Sequence, residues 1–580
     1  MLRSFIIAFV GLLGCPLFAQ TNFVLTHPAA EAVLLGNYVT GDYSATTVLD
    51  DPALIASELS TRISPDSLKS YITTLSLFGN RNSGSDTVSQ VRGIGAARRW
   101  TYEKFRSFSL VNENRLLAGY FQFDREMCSV VRHRNILAIL PGSDPDPNGV
   151  IIIEGHIDSR CAVLCDTACV AEGVEDNATG TALVIELARV MARYTFKNTI
   201  VFMVVIGEEQ GLYGADAFAA YAKSKNIPIR AVLNNDVIGG VICGKTSSPP
   251  SCSGYNDIDS TSVRLFSSGG FNSAHKQLAR YIKLEYRENL AASAAIPMNV
   301  RIMTPEDRTG RGGDHIPFRE RNYPAMRFTA ANEHGDASNG PAYDDRQHSS
   351  RDILGADTNN DNEVDSFFVQ FNYLSRNALI NGNAAAMIAR AVPSLTGFTG
   401  YRSGATVSIT LTDPANLGIY RVALRSATND WDTVYTLTGA TSGTFACNAT
   451  GGLFVSVASV DAQGVESLFS VEKIMTTTGT QDPAGTADES RNIRLFQNKP
   501  NPFDEATWIS FWVNEVPGYH HASILITDMN GRQVEEIPVL LRQGMNEVQY
   551  THGYGGKGTF SYALMIDNNP VDARKMVFAN

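Results

Sequence analysis

Between residues 135 and 329 short apolar runs alternate with stretches of helical spacing, and this alternation constrains the fold more than any other feature of the chain. The runs 135–140, 150–154 and 199–206 are apolar almost throughout, and 231–235 and 325–329 are apolar at three positions of five, as strands buried on both faces are. Helical spacing fills 181–194 and 215–225 between them. The pattern predicts an α/β fold, a mostly parallel mixed sheet sandwiched by helices. Earlier, Ser64-Pro-Asp-Ser-Leu ahead of Tyr71, Ile72, Leu75 and Leu77 predicts a capped amphipathic helix, and 93–105 predicts another. A last helix is predicted near 367–392, whereas residues 20 to about 60 carry no clear pattern.

At about 150 residues per domain, a chain of 580 residues makes three or four units. After residue 393 the helical spacing stops. From 394 to 475 short alternating runs such as Tyr420-Arg-Val-Ala-Leu-Arg and Leu453-Phe-Val-Ser-Val-Ala predict a small β-sandwich. Residues 476–491, rich in Gly, Thr, Asp and Ala, read as a linker, and 492–580 predicts a second small all-β sandwich. At the other end, Arg3, the apolar run 5–13 and the small Ala19 predict a cleavable signal peptide over 1–19. Export through the periplasm to a secreted or cell-surface location follows. The segment Leu12-Leu13-Gly14-Cys15 also reads as a lipoprotein box with Cys15 acylated. No later apolar run is long enough to span a bilayer, so no membrane span is expected, and the α/β unit is expected over 20–393.

A net charge of −11, with no long basic run, excludes nucleic acid as an expected partner. In an oxidising compartment the cysteines are expected to pair. Cys243 and Cys252 close a loop over a Pro-Pro turn; Cys128 with Cys161, Cys165 and Cys169 makes two disulfides of open connectivity, or the triplet holds a structural zinc; Cys447 is left free.

Polar residues stand where the apolar runs end. His156 and Asp158 follow 150–154, Glu208 and Glu209 follow 199–206, and Asp236 ends 231–235. In open α/β sheets ligands bind beyond the carboxyl ends of the strands, so these five converge. Asp176, in Glu175-Asp-Asn-Ala-Thr-Gly just before the helix at 181, and His315, in Gly312-Gly-Asp-His-Ile-Pro-Phe ahead of 325–329, are expected to join them. Taken singly, each has a dull explanation: a surface turn, a wet loop, a helix N-cap. Dull explanations for every segment at once are improbable. Two imidazoles with several carboxylates suit zinc, and two ions are served if one carboxylate bridges.

The series Gly155-His-Ile-Asp-Ser, Gly173-Val-Glu-Asp-Asn-Ala-Thr-Gly, Gly207-Glu-Glu-Gln-Gly-Leu-Tyr-Gly, Asn234-Asn-Asp-Val-Ile-Gly and Gly313-Asp-His-Ile-Pro-Phe resembles the di-zinc exopeptidase family that includes bacterial leucyl aminopeptidase and glutamate carboxypeptidase. The resemblance implies that His156, Asp176 and Asp236 hold one zinc ion and Asp176, Glu209 and His315 the other, with Asp176 bridging. Asp158 would accept the other N–H of His156, and Glu208 would be the general base on the attacking water. Glu175 stands where relatives often have Asp, and the segment 161–169 is expected to wall the mouth of the site. Tyr323 or Tyr343 would steady the oxyanion. His348, in His348-Ser-Ser-Arg-Asp, is expected near the pocket but not as a ligand.

Two further resemblances concern the C-terminal units. Ala458-Ser-Val-Asp-Ala-Gln-Gly-Val-Glu-Ser resembles the closing strands of fibronectin type III modules. Leu495-Phe-Gln-Asn-Lys-Pro-Asn-Pro-Phe and Ile524-Leu-Ile-Thr-Asp-Met-Asn-Gly-Arg resemble the sorting domain of the type IX secretion pathway of Bacteroidetes. The resemblances together imply a secreted, two-zinc aminopeptidase acting on peptides and delivered by the type IX machinery. The alternatives are a glutaminyl cyclase or carboxypeptidase of the same fold and, from another class, an inert surface binding protein.

Overall fold

The computed structural model describes residues 21–580 apart from 145–148, 243–256, 270–272, 305, 308–311, 332–345, 396, 414, 427, 429, 448–452, 476–491, 504–505, 529–532, 553–557, 568 and 580. The expected signal peptide, Cys15, the Cys243–Cys252 pair, Tyr343 and the linker over 476–491 lie outside the described residues.

The described residues up to 393 build one nine-stranded sheet with its helices, and a small two-stranded sheet of Gly355–Ala356 and Ser366–Phe367. The strands of the large sheet are β1 (Thr21–Leu25), β2 (Leu117–Met127), β3 (Val130–Leu140), β4 (Val150–His156), β5 (Thr199–Val205), β6 (Ile229–Asn235), β7 (Ser262–Phe266), β8 (Asn299–Ile302) and β9 (Ala325–Ala330). They lie in the order β1-β2-β3-β5-β4-β6-β9-β7-β8. The helices are α1 (Pro28–Leu34), α2 (Pro52–Arg62), α3 (Pro65–Ser76), α4 (Gly93–Leu110), α5 (Thr179–Met191), α6 (Tyr213–Ser224), α7 (Ala274–Glu285), α8 (His315–Glu320) and α9 (Phe371–Arg390). Every residue of β4 and β5 is buried, because helices cover both faces of a parallel sheet. As expected, α3 starts at a cap, with Ser64 Oγ accepting from the Ser67 amide at 3.2 Å.

The sheet is mixed, with parallel pairs at its centre and at the β7–β8 edge. β5, β4, β6 and β9 run parallel, as do β7 and β8, whereas β1–β2, β2–β3, β3–β5 and β7–β9 are antiparallel. The expectation of a mostly parallel sheet is corrected accordingly. The antiparallel flank arises because β2 and β3 form a hairpin closed by Cys128 and Ser129, both at positive φ (47° and 68°), as a two-residue primed turn requires. The hairpin tip is stapled to the loop after β4 by Cys128–Cys165, and that loop is closed on itself by Cys161–Cys169. Among the described residues Cys447 is free and buried.

Two all-β units follow. The first pairs a sheet of Gly397–Ser403, Thr406–Thr412 and Ser442–Ala446 with one of Ile419–Arg425, Thr433–Thr438, Leu453–Ser459 and Lys473–Met475. The second pairs Ile493–Leu495, Ala506–Val513 and Gly544–Thr551 with Ala522–Asp528, Gln533–Pro538, Gly558–Ile566 and Asn569–Phe578. Each has a core of its own. The first also lends Ala423, Trp431, Ala458, Val465 and Phe469 to the large core of the α/β unit. Among the described residues no helix is long and apolar enough to cross a membrane.

Where the first β unit meets α7, two carboxyls are buried together. The Tyr281 hydroxyl donates to the Glu466 carbonyl at 3.2 Å, and Arg421 stands 3.5 Å from the Glu466 carboxylate and 2.8 Å from that of Glu288. Burial pushes Glu285 up to about 7, and burial together with the nearby Glu285 carboxyl pushes Glu466 up to about 8. An unfolded chain releases these protons near about 4.3. Between that pH and about 8 the folded state therefore binds more protons, so stability must fall as pH rises. The expected result is a melting temperature that drops from pH 5 to pH 8, with a shallower drop in a Glu285→Gln/Glu466→Gln double variant. A double variant with the same slope as the wild type would refute the assignment.

Candidate metal centre

The parallel register of β5, β4 and β6 sets three carboxyl ends side by side. They deliver His156 and Asp158, Glu208 and Glu209, and Asp236 to one edge of the sheet, as the sequence predicts. The sixth residue arrives on the turn Val174–Ala178 that leads into α5. That turn starts at Gly173, with φ of +52°, where an added Cβ would lie 2.4 Å from Ser159 Cβ and 2.5 Å from the Asp176 carbonyl oxygen. Only glycine satisfies both demands. Asn177 anchors the far side, its amide donating to the Asn235 carbonyl at 2.9 Å and its oxygen accepting from the Gly180 amide at 2.9 Å.

Two donor clusters share one carboxylate. His156 Nε2 lies 3.2 Å from Asp176 Oδ1 and 3.2 Å from Asp236 Oδ1. His348 Nε2 lies 3.0 Å from Asp176 Oδ2 and 3.2 Å from Glu209 Oε2. Both groups are compact enough to hold a metal ion. The two oxygens of Asp176 thus face different histidines, the arrangement a bridging ligand needs. Buried carboxylates outnumber the imidazoles, and such an excess of negative charge calls for cations. Nitrogen and oxygen donors of this kind fit zinc. The electrostatics agree with the crowding of acids. Against burial, Asp158, Asp176 and Asp236 hold His156 well above its ordinary value, and Glu209 and Asp176 bring His348 up to about 9.

Around the clusters, other groups fix the ligands. His156 Nδ1 lies 3.0 Å from the backbone carbonyl of Asp158, and 3.7 Å from its carboxylate. The carbonyl therefore sets the tautomer, correcting the expectation for the Asp158 side chain. That side chain accepts instead from the backbone amides of Glu208 at 3.4 Å and Glu209 at 3.1 Å, so it orients the segment that carries the expected base. Arg327 holds Asp236 at 3.1 Å. Arg160 donates to Glu209 from Nε at 2.7 Å and places Nη2 2.7 Å from His348 Nδ1. Glu208 belongs to neither cluster and stands half-buried beside them. Burial, with Asp236, Glu209 and Asp314, pushes its carboxyl well above the ordinary range, His156 opposing.

His315 is not in either cluster, and His348 takes the place expected for it. The reason is topological. His315 opens α8, which leads to the amino end of β9 at Ala325, while the carboxyl end of β9 at Ala330 leads on to the segment bearing His348. β9 runs parallel to β6, so the residue that reaches the crevice comes after β9. The His315 ring is fully buried, has no hydrogen-bond partner among the described residues, and is pushed by burial down to about 3. Tyr323, an expected oxyanion group, packs against Phe318 with Lys223 over its ring. The sequence did hold a signal for His348: its spacing to Asp352, whose carboxylate accepts from the amides of Glu175 at 2.9 Å and Asp176 at 3.0 Å.

The profile of Peptidase family M28 matches residues 135–366. The chain is similar to a probable zinc metalloprotease of Leptosphaeria maculans, 34% identical over 305 residues that cover 49% of this chain and 69% of the relative. It is also similar to a probable zinc metalloprotease of Pyricularia oryzae, 32% identical over 351 residues, 58% of this chain and 66% of the relative. Among solved structures, the LapA aminopeptidase of Legionella pneumophila aligns at a TM-score of 0.42 and 19% identity over 59% of this chain and 75% of that one. The glutaminyl cyclase of Porphyromonas gingivalis aligns at 0.37 and 14% over 56% and 97%.

Proposed function

The chain belongs to peptidase family M28, and from that premise we propose that it is a zinc-dependent exopeptidase, an aminopeptidase that hydrolyses peptides at their N-termini. The observation that carries the reading is the placement of the Asp176 oxygens, one toward His156 and Asp236 and the other toward His348 and Glu209. His156, Asp176 and Asp236 would hold one zinc ion, and Asp176, Glu209 and His348 a second. The relatives named as probable zinc metalloproteases support the choice of metal.

When bound, zinc supplies the Lewis acidity that makes water acidic near pH 7 and polarises a carbonyl. Glu208 takes a proton from the attacking water, whose oxygen bonds to the peptide carbonyl carbon. As the C–N bond breaks, Glu208 returns the proton to the departing amine. Asp158 keeps Glu208 in place through the backbone amides of 208 and 209. Arg327 and the Asp158 carbonyl hold Asp236 and His156 in the orientation their roles require.

The aminopeptidase reading rests on the resemblance of the five motifs. The alternative is a carboxypeptidase of the same fold. Purified full-length protein, incubated with aminoacyl chromogenic substrates and with peptides blocked at either end, separates the two. Release of free N-terminal residues, lost on N-terminal acetylation, is the expected result. Activity that survives acetylation and is lost on C-terminal amidation would establish the carboxypeptidase. Cyclisation of N-terminal glutamine without hydrolysis would establish a cyclase. Export by a signal peptide, a fibronectin-like spacer over 394–475 and type IX sorting by 492–580 complete the proposal, supported by the motifs in those segments and by the all-β architecture of both units.

A further inference from the structure

The turn that carries Asp176 is gripped by two buried groups of opposite charge. The Arg81 guanidinium donates to the carbonyls of Ile157 at 2.8 Å, Leu75 at 3.2 Å and Gly173 at 2.9 Å, and also to that of Glu172. Asp352 accepts from the amides of Glu175 and Asp176 at 2.9 and 3.0 Å, and its backbone carbonyl accepts from Val174 at 3.3 Å. Arg81 is fully buried and Asp352 is 4% exposed. Over five consecutive residues, then, the carbonyls of 172 and 173 face a cation and the amides of 174 to 176 face Asp352. Charge-assisted bonds of this kind are about twice as strong as neutral ones.

Each group also reaches a second element of the site. Arg81 holds the carbonyl of Ile157, the residue between His156 and Asp158. Asp352 follows His348 by four residues, so it ties the turn to the segment that supplies the second histidine. Arg81 contacts the backbone beside the first cluster, and Asp352 joins the backbone of both halves.

We infer that Arg81 and Asp352 are positioning residues that together fix the Asp176 carboxylate at the midpoint between the two clusters. The inference rests on the two-metal reading given above. Groups that orient metal ligands typically change metal affinity about 10- to 100-fold when replaced. An Asn at 352 keeps the size of Asp but offers one acceptor where two amides need one each.

The test uses full-length protein stripped of metal and titrated with zinc against a chromogenic chelator, with thermal melting and amide exchange measured in parallel. Asp352→Asn is expected to weaken zinc binding about 10- to 100-fold and to speed exchange at the amides of 175 and 176, with or without zinc. Arg81→Lys, which keeps the charge but loses the fork of donors, serves if Asp352→Asn does not fold, with a smaller loss in the same direction. Glu472→Gln is the control for a merely structural effect: it disrupts the buried pair with Arg425, which lies 2.8 Å away in the first β unit, and is expected to lower the melting temperature without changing zinc affinity. Zinc affinity within twofold of wild type in either folded positioning variant overturns the inference. Wild-type protein that binds no zinc would overturn the two-metal reading instead, while the exchange rates at 175 and 176 would still decide whether the clamp holds the turn.

Discussion

Replacing Glu208 by glutamine is expected to lower kcat about 10²- to 10⁴-fold while leaving two zinc ions per chain and KM little changed. The expectation follows from where Glu208 stands. It is outside both donor clusters, so its loss removes no ligand. Its neighbour Glu209, whose carboxylate faces His348 at 3.2 Å, would be the ligand of the pair. The backbone of both is pinned by Asp158, so glutamine occupies the same position without a carboxylate to accept the proton of water. An interaction made only during reaction affects kcat and kcat/KM alike, which distinguishes a lost base from a lost binding contact. A variant that keeps more than a tenth of the wild-type kcat would remove Glu208 from the mechanism. One that loses zinc would make it a ligand.

The second large effect concerns the two histidines that sequence and structure rank differently. His348→Ala is expected to leave one tightly held zinc ion per chain and to reduce hydrolysis at least as far as loss of Glu208 does. His315→Ala is expected to keep both ions and most of the activity. His348 Nε2 approaches two carboxylates, whereas the His315 nitrogens have no partner among the described residues. His315 is fully buried beside Arg327, so its replacement opens a cavity and is expected to lower the melting temperature. Elemental analysis of zinc in the two purified variants, read beside their melting curves, checks both halves. Loss of an ion in His315→Ala with retention in His348→Ala would reverse the assignment.

Five of the seven expected site residues were legible because they follow buried strands whose ends converge by topology alone. Apolar runs such as Val150–His156 and Thr199–Val205 declare both the strand and the edge at which the next polar residue emerges. Asp176 was legible for a related reason, since it leads directly into a helix that packs on the same sheet. His315 misled because a histidine in an acidic, glycine-rich segment resembles a ligand whichever end of the strand it adjoins; only the direction of β9 relative to β6 decides, and that is a fact of pairing. His348 is far along the chain from β9, on a segment with no strand to announce it.

The roles of Arg81 and Asp352 were invisible for a different reason. Their partners are backbone carbonyls and amides of a turn remote in sequence, and backbone groups leave no mark in residue identity. The same holds for the Asp158 carbonyl against His156. The antiparallel flank was missed because β1 is short and partly exposed, while the apolar alternation of β2 says nothing about the direction of its neighbours. The cysteines were read more fully. The Cys128–Cys165 and Cys161–Cys169 pairs agree with the two disulfides expected of these four cysteines, although their connectivity needed the hairpin tip and the loop to be brought together.

The account depends on two metal positions that share Asp176. Crystals of the full-length protein grown with zinc, with diffraction recorded on both sides of the zinc absorption edge, locate the ions directly. The account predicts two anomalous peaks, one enclosed by His156, Asp176 and Asp236 and the other by Asp176, Glu209 and His348. A single peak, or a second peak against His315 instead of His348, would contradict it.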